Sequence, residues 1–170
     1  MTRQDIASAA LDDATRIRPA TEDDELRVAA LARALSQDSI RRRFLGGVAR
    51  AIVAGELSRE IHAGTGEIAF IAEDGDGAIA GEAYAALVDA TSAEAAFVVA
   101  DRRQHHGIGT RLFAAVVRAL SKRGVQTMLL ETLAENAEMI GIVQASGLPH
   151  VQRRTDEIVE LRVSLPAAAR

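Results

Sequence analysis

The sequence predicts a mixed α/β fold: a sheet of about six to seven strands flanked by helices. Three observations carry this expectation. Apolar residues make up 48% of the 170 residues but aromatics only 3%, so a core of Ala, Val, Leu and Ile is available to a chain long enough to bury one. Segments with a two-residue apolar period alternate with segments of helical period. An apolar strand, a glycine-containing loop, an amphipathic helix and a second apolar strand follow one another between residues 93 and 132, and such a crossover unit places its two strands parallel.

The elements follow in chain order. Residues 1–14 read as a flexible polar tail, and residues 15–166 as one domain without repeats or low-complexity linkers. "TRIRPA" is a short edge strand ended by Pro19. "TEDDELRVAALARAL" is a helix that Thr21 can cap, with Asp24 three residues on as a shortened capping-box acid. "SQDSIRRRF" is a second short helical piece, and "VARAIVAGELSREIHAG" a helix stopping near Gly64. "EIAFIAED", the turn signal "DGDG", "AIAGEAYAALV" and "AEAAFVVA" form a three-stranded meander. "TRLFAAVVRALSKRG" is amphipathic, with Leu112, Phe113, Val116, Val117 and Leu120 on one side and Gly124 as its stop. "VQTMLLET" is nearly continuous apolar, as a buried parallel strand is. "NAEMIGIVQASG" is a short helix ending at Gly147, and "HVQRRTD" with "EIVELRVSL" is a final strand pair.

Composition excludes several functions. A net charge of −4 with few aromatics argues against nucleic-acid binding, which draws on a basic face and stacking rings. There is no cysteine, hence no disulfide and no thiolate nucleophile. "MTRQDIASAALDDATRIRP" holds no long apolar run, so neither a signal peptide nor a membrane span is expected, and the expected location is cytoplasmic. His105 and His106 are adjacent and belong to no His-Glu-x-x-His pattern, so no metal site is expected. Lys122 is the only lysine, which fits a genome bias toward Ala and Arg codons, the alternative being a lysine-modifying enzyme with few lysines of its own to modify.

The chemistry concentrates in "RRQHHGIGTRL", Arg102 to Leu112. Glycines before a helix let backbone N–H groups approach a phosphate, with the positive end of the helix dipole behind them. A Rossmann fingerprint fits poorly. Its third small position is Leu112, and six polar residues separate the strand from Gly107, although Glu131 lies about where a ribose-binding acid would. A Walker loop would need Gly-Lys-Ser/Thr, which is absent. A plain strand–helix turn is the structural alternative.

Gln104-His105-His106-Gly107-Ile108-Gly109 also matches Gln/Arg-x-x-Gly-x-Gly/Ala, the pyrophosphate loop of the GNAT superfamily. "IRPATEDD", "LSQDSIRRRF", "AEAAFVVADRRQHHGIGTRL" and "LAENAEM" fall in the order of GNAT domains. They resemble especially the catalytic domain of bacterial protein lysine acetyltransferases, from about Arg16 to Leu165. The resemblance implies a sheet splayed open between the "AEAAFVVA" and "VQTMLLET" strands, with acetyl-CoA in the cleft as co-substrate.

It also implies roles. Gln104, His105, His106, Gly107, Ile108, Gly109 and Thr110 would form the pyrophosphate loop. Phe97, Val98 and Val99 would pair their backbone with the pantetheine arm, and an N–H near Val98 or Val99 would polarise the thioester carbonyl. Asn136 would contact the cofactor arm or cap the helix it opens. Arg102, Arg103 and Arg111 could meet the CoA 3′-phosphate or belong to a solvated loop. Arg41 to Arg43 read as a solvated helix face.

Glu94 matches the family's catalytic glutamate, and an ordinary lysine amine, with a pKa of about 10.4, needs such a base before it can attack. Glu82 and Tyr84 share a face of the preceding strand and stand behind it. One departure is Val143, where many members carry a Tyr that protonates the leaving thiolate, although a thiol with a pKa of about 8.5 leaves tolerably without one. The expected activity is direct acetyl transfer to an amine, a protein lysine foremost. A small-molecule amine acceptor, or an inactive acyl-CoA-binding regulator, is the alternative, and oligomeric state stays open.

Overall fold

The computed structural model describes residues 15–167, so the expected tail at 1–14 lies outside the described residues. The chain opens with β1 (Arg16–Pro19), a 3-10 turn (Glu22–Asp24) and three helices, α1 (Glu25–Ala34), α2 (Gln37–Phe44) and α3 (Arg50–Ile61). The meander β2 (Glu67–Glu73), β3 (Ile79–Leu87) and β4 (Ser92–Val99) follows. A 3-10 turn (Asp101–Arg103) leads to α4 (Ile108–Lys122), β5 (Thr127–Leu133), α5 (Ala137–Ala145), β6 (His150–Thr155) and β7 (Ile158–Ser164). None of the described helices is long and apolar enough to cross a membrane.

Local chemistry sets the element ends. The Asp24 carboxylate reaches back to the Thr21 N–H (2.9 Å), the acidic half of the capping box. The same carboxylate accepts from Arg18 and Arg27, and both arginines also bind Glu73, so four charges pin the start of α1 to β1 and β2. Ser36 caps α2 by accepting from the Ser39 N–H (3.1 Å).

The seven strands form one sheet in the order β1-β2-β3-β4-β5-β7-β6. One face packs on α4 and α5 through Leu112, Val116, Leu120, Met128 and Leu161. The other packs on α1 to α3 through Val28, Leu31, Ile40, Val53, Leu57 and Ile71. Each fully buried aliphatic side chain contributes about 1.5–3 kcal/mol of burial free energy, and these two layers hold the sheet in place. Where rings are scarce, Phe97 on β4 meets Phe113 on α4 at 5.9 Å between centroids.

The sheet opens in the middle. β4 and β5 are parallel and pair only at Ser92↔Thr127, Ala93↔Met128 and Glu94↔Leu129. Past Glu94 the strands diverge, and β4 runs on through Val99 with its β5-facing edge unpaired by sheet. This is the splay that the family resemblance implies.

Candidate active site

The splay creates a groove with Glu94 at its fork and the glycine loop at its far end. Three adjoining hollows make it up. The central one lies between β4 and β5 and is lined by Phe97, Val98, Val99, Gln104, Gly109 and Asn136, among others. The second, at the start of α4, is lined by His105, Gly107, Ile108, Gly109 and Thr110 against α5. The third holds Glu94 with Tyr84, Arg43, Glu60 and Glu131. Val99, Gln104 and Gly109 border the first two, while Arg43, Ala95, Ala96 and Glu131 border the first and third. Every expected site residue except His106 therefore lines one continuous groove.

Register decides which backbone groups face it. The Ala100 N–H donates to Ala80 of the β3 side (2.8 Å), and pairing steps Glu82 opposite Val98. Backbone groups alternate along a strand, so Val98 turns its amide and carbonyl to β3, while Phe97 and Val99 turn theirs to the cleft. Of the two expected oxyanion donors, Val99 is the one the register favours. The Val98 side chain is buried in the core under α1 to α3, and Phe97 packs on the opposite core. Backbone, not side chains, is what these residues offer the cleft.

The loop is shaped by two left-handed residues, His105 (φ 62°) and Gly107 (φ 75°). Gly107 meets nothing within 4 Å of an added Cβ, so conformation alone calls for glycine there. Gly109 differs: a Cβ would sit 3.0 Å from Ile142 Cδ1, so its role is close packing of α4 on α5. Gly107 caps α4 without a side-chain hydrogen bond, and the first-turn N–H groups of a helix have no intrahelical acceptor. With the helix dipole behind them they suit an anion. The Ile108 side chain is in the core, which leaves its backbone to the loop.

Several side chains are engaged otherwise than expected. Arg103 is buried, donating to Asp74 (3.0 Å) and Thr15 (2.8 Å), and Arg111 donates to the Thr15 carbonyl (2.8 Å), so both brace the loop from behind. Arg102 is exposed. Asn136 accepts from the Met139 N–H (3.3 Å) and donates to Thr132 Oγ1 (2.9 Å), so it caps α5 while lining the cleft. His105 stands 3.2 Å from Glu138 on α5. Val143 is fully buried in the core.

The expectation of a solvated Arg41–Arg43 face is corrected. The Arg43 side chain is only 7% exposed and binds both oxygens of Glu60 (2.7 and 2.6 Å) at the border of two hollows. Arg41 pairs with Glu135 and Glu157, and Arg42 lies 3.9 Å from Glu138, so α2 reaches toward the β5–α5 side of the groove. Helical spacing carried the signal: Glu60 falls on the buried stripe of Val53 and Leu57.

Glu94 is exposed at the fork. Glu82 is fully buried, and burial first, then the neighbouring Glu60 charge, pushes its carboxyl well above the ordinary carboxylate range. Tyr84 donates to Glu67, and burial raises its hydroxyl above the usual phenol value.

The chain belongs to the GNAT acetyltransferase family: the model of the Acetyltransferase (GNAT) family matches residues 28–148. Among solved structures it is similar to the GNAT domain of PAT from S. lividans, with 25% identity and a TM-score of 0.77 over 89% of this chain and 90% of that one. It is similar in fold to yncA from Salmonella typhimurium, solved with acetyl-CoA (16% identity, TM-score 0.68, covering 92% and 96%). It is likewise similar to a GNAT superfamily phosphinothricin acetyltransferase from Sinorhizobium meliloti in complex with acetyl-CoA (17%, 0.68, 89% and 89%). The family and fold expected from the sequence are borne out.

Proposed function

We propose that this chain transfers an acetyl group from acetyl-CoA directly to an amine, with a protein lysine as the acceptor and residues 15–166 acting as one catalytic domain. The observation that carries the reading is the splay itself. Pairing of β4 with β5 ends at Glu94, and the opened groove joins a carboxylate at one end to an anion-suited helix start at the other. Family membership, the 25% identity to PAT, and the acetyl-CoA of two structural neighbours support acetyl-CoA as co-substrate.

The residues divide the work as follows. Backbone N–H groups of the loop from His105 to Thr110, with α4 behind them, hold the pyrophosphate, while the Gln104 N–H is taken by the Asp101 carbonyl (3.3 Å). Phe97 and Val99 present cleft-facing backbone to the pantetheine arm. Glu94 takes a proton from the acceptor ammonium, directly or through a water. The free amine attacks the thioester carbon and the N–C bond forms, the Val99 N–H holds the developing oxyanion, the nitrogen gives up its second proton to solvent, and the intermediate collapses with breakage of the C–S bond. CoA leaves as thiolate and takes its proton from solvent, since the place of the family's tyrosine acid is the buried Val143.

The chain has no cysteine, so a thiol reagent reports released CoA alone. Incubation with acetyl-CoA and lysine-containing protein should release CoA thiol, and labelled acetyl-CoA in a cell lysate should label protein. Label entering only small amines would move the acceptor to that class. No acetyl transfer to any amine, with acetyl-CoA still bound, would overturn the enzyme in favour of an acyl-CoA-binding regulator. Without a cysteine both substrates should bind before transfer, giving intersecting double-reciprocal lines. Parallel lines would contradict direct transfer.

A further inference from the structure

We propose that Gln104 is a positioning residue of the transfer reaction, whose side-chain amide locks the cofactor edge of β4 to the acceptor-side wall on α2. The proposal rests on the functional reading above and adds a role that the glycine-loop pattern does not contain. Gln104 Nε2 donates to the Val99 carbonyl (3.1 Å) and to Ser39 Oγ (3.0 Å). An amide nitrogen carries two protons, so both bonds form at once, and a flipped amide would set oxygen against the Val99 carbonyl. The Ser39 hydroxyl in turn donates to Asp101 (3.0 Å), which also accepts from the Ser36 N–H (3.0 Å). The chain of donors thus runs one way, from Gln104 through Ser39 to a carboxylate, and such chains strengthen one another.

Its two ends matter to chemistry. Val99 is the residue whose cleft-facing N–H is assigned above to the oxyanion, and Gln104 holds the carbonyl of that same residue. Ser39 is on α2, and Arg42 and Arg43 lie three and four residues on, hence on the same helix face. Both arginines line the central hollow, and Arg43 lines the Glu94 hollow as well. A shift of Val99 as the pantetheine arm pairs with β4 is therefore delivered through one amide to α2, whose Arg43 reaches into the Glu94 hollow. Sequence separation of 65 residues hides this link from any local pattern.

Gln104→Ala and Ser39→Ala test it, with three readouts: acetyl-CoA affinity by calorimetry, kcat and KM for the acceptor, and amide hydrogen exchange of residues 37–44 with and without acetyl-CoA. Each variant should lower kcat/KM for the acceptor by about tenfold or more, within the range that misplacement of reacting groups costs. Acetyl-CoA affinity should stay within about threefold, and the double variant should be no worse than either single one. Acetyl-CoA should slow exchange in α2 of the wild type and not of the variants. A Gln104→Ala protein that loses acetyl-CoA affinity but keeps the acceptor KM and the exchange response would overturn the proposal, making the side chain a cofactor ligand. A silent Ser39→Ala would overturn it too. The exchange arm needs no acceptor, so a wild type that binds acetyl-CoA yet acetylates nothing would sink the functional reading and still decide the role of Gln104.

Discussion

Glu82 carries a carboxyl into the apolar layer between the sheet and the helices α1 to α3, where neither oxygen has a hydrogen-bond partner as a carboxylate. Protonated, it can donate to Glu60, whose charge Arg43 already balances. The native protein then keeps a proton that the unfolded chain releases near the ordinary value of 4.5. Bound protons are more numerous in the fold, so stability falls as pH rises from that value toward the raised native one, by about 1.4 kcal/mol per pH unit at most. Gln has the same shape and donates without titrating. Glu82→Gln should therefore stabilise the protein by a margin that widens from pH 5 to pH 8 in denaturant titrations, and a pH-independent difference would show Glu82 to be ionised in the fold. The glycines make a second residue-scale case. Gly107→Glu should leave a folded protein with no measurable acetyl-CoA binding, because a charged side chain on a left-handed residue enters the phosphate end of the groove. Unchanged affinity by calorimetry would remove the loop from the site. The places of Glu94 in a strand, Gly107 in a loop and Gly109 at a helix start were legible because strand, loop and helix signals surround them. Arg43 and Arg103 were not, since their burial depends on Glu60, Asp74 and Thr15, which are distant in sequence.

At the scale of elements, α4 shows why pattern reading succeeds. Leu112, Val116 and Leu120 repeat at four residues and are each at most 1% exposed, so the stripe seen in the sequence is the stripe that packs. Leu112→Ala should cost about 2–5 kcal/mol, the range for emptying such a site, measured by chemical unfolding. The start of α1 behaves differently. Arg18 first, then Arg27, hold the Glu73 carboxyl down from 4.5 to about 2, and Arg18 holds Asp24 lower still. These are depressed carboxylates, so their stabilisation is present above the ordinary range and is lost as pH falls through the native values. Arg18→Met should move acid unfolding to higher pH, and an unmoved midpoint would mean the network contributes nothing. The capping pair Thr21 and Asp24 was readable from spacing, but Arg18 meets Glu73 because β1 pairs with β2 in this register, and Arg27 joins them from the first turn of α1.

At the scale of the whole molecule, function comes from a sheet that fails to close. Six to seven strands and their order along the chain could be read from periodicity, yet nothing in a two-residue period says that β4 and β5 part after Glu94. That expectation came from resemblance to the family, and the register now gives it a physical form: three paired residues, then a groove. The same parting leaves the backbone of Phe97 and Val99 facing the cleft along the strand that carries the exposed Glu94 at its fork. The most direct measurement is the rate of CoA thiol release by wild type and Glu94→Gln across pH 6–10, with a lysine peptide as acceptor. Gln keeps the shape but cannot accept the amine proton, so kcat at neutral pH should fall by about a hundredfold or more, with acetyl-CoA affinity unchanged. The loss should shrink toward pH 10 as solvent supplies free amine. A variant as active as the wild type at every pH would contradict the account, leaving Glu94 a strand residue at the fork of an otherwise acetyl-CoA-binding sheet.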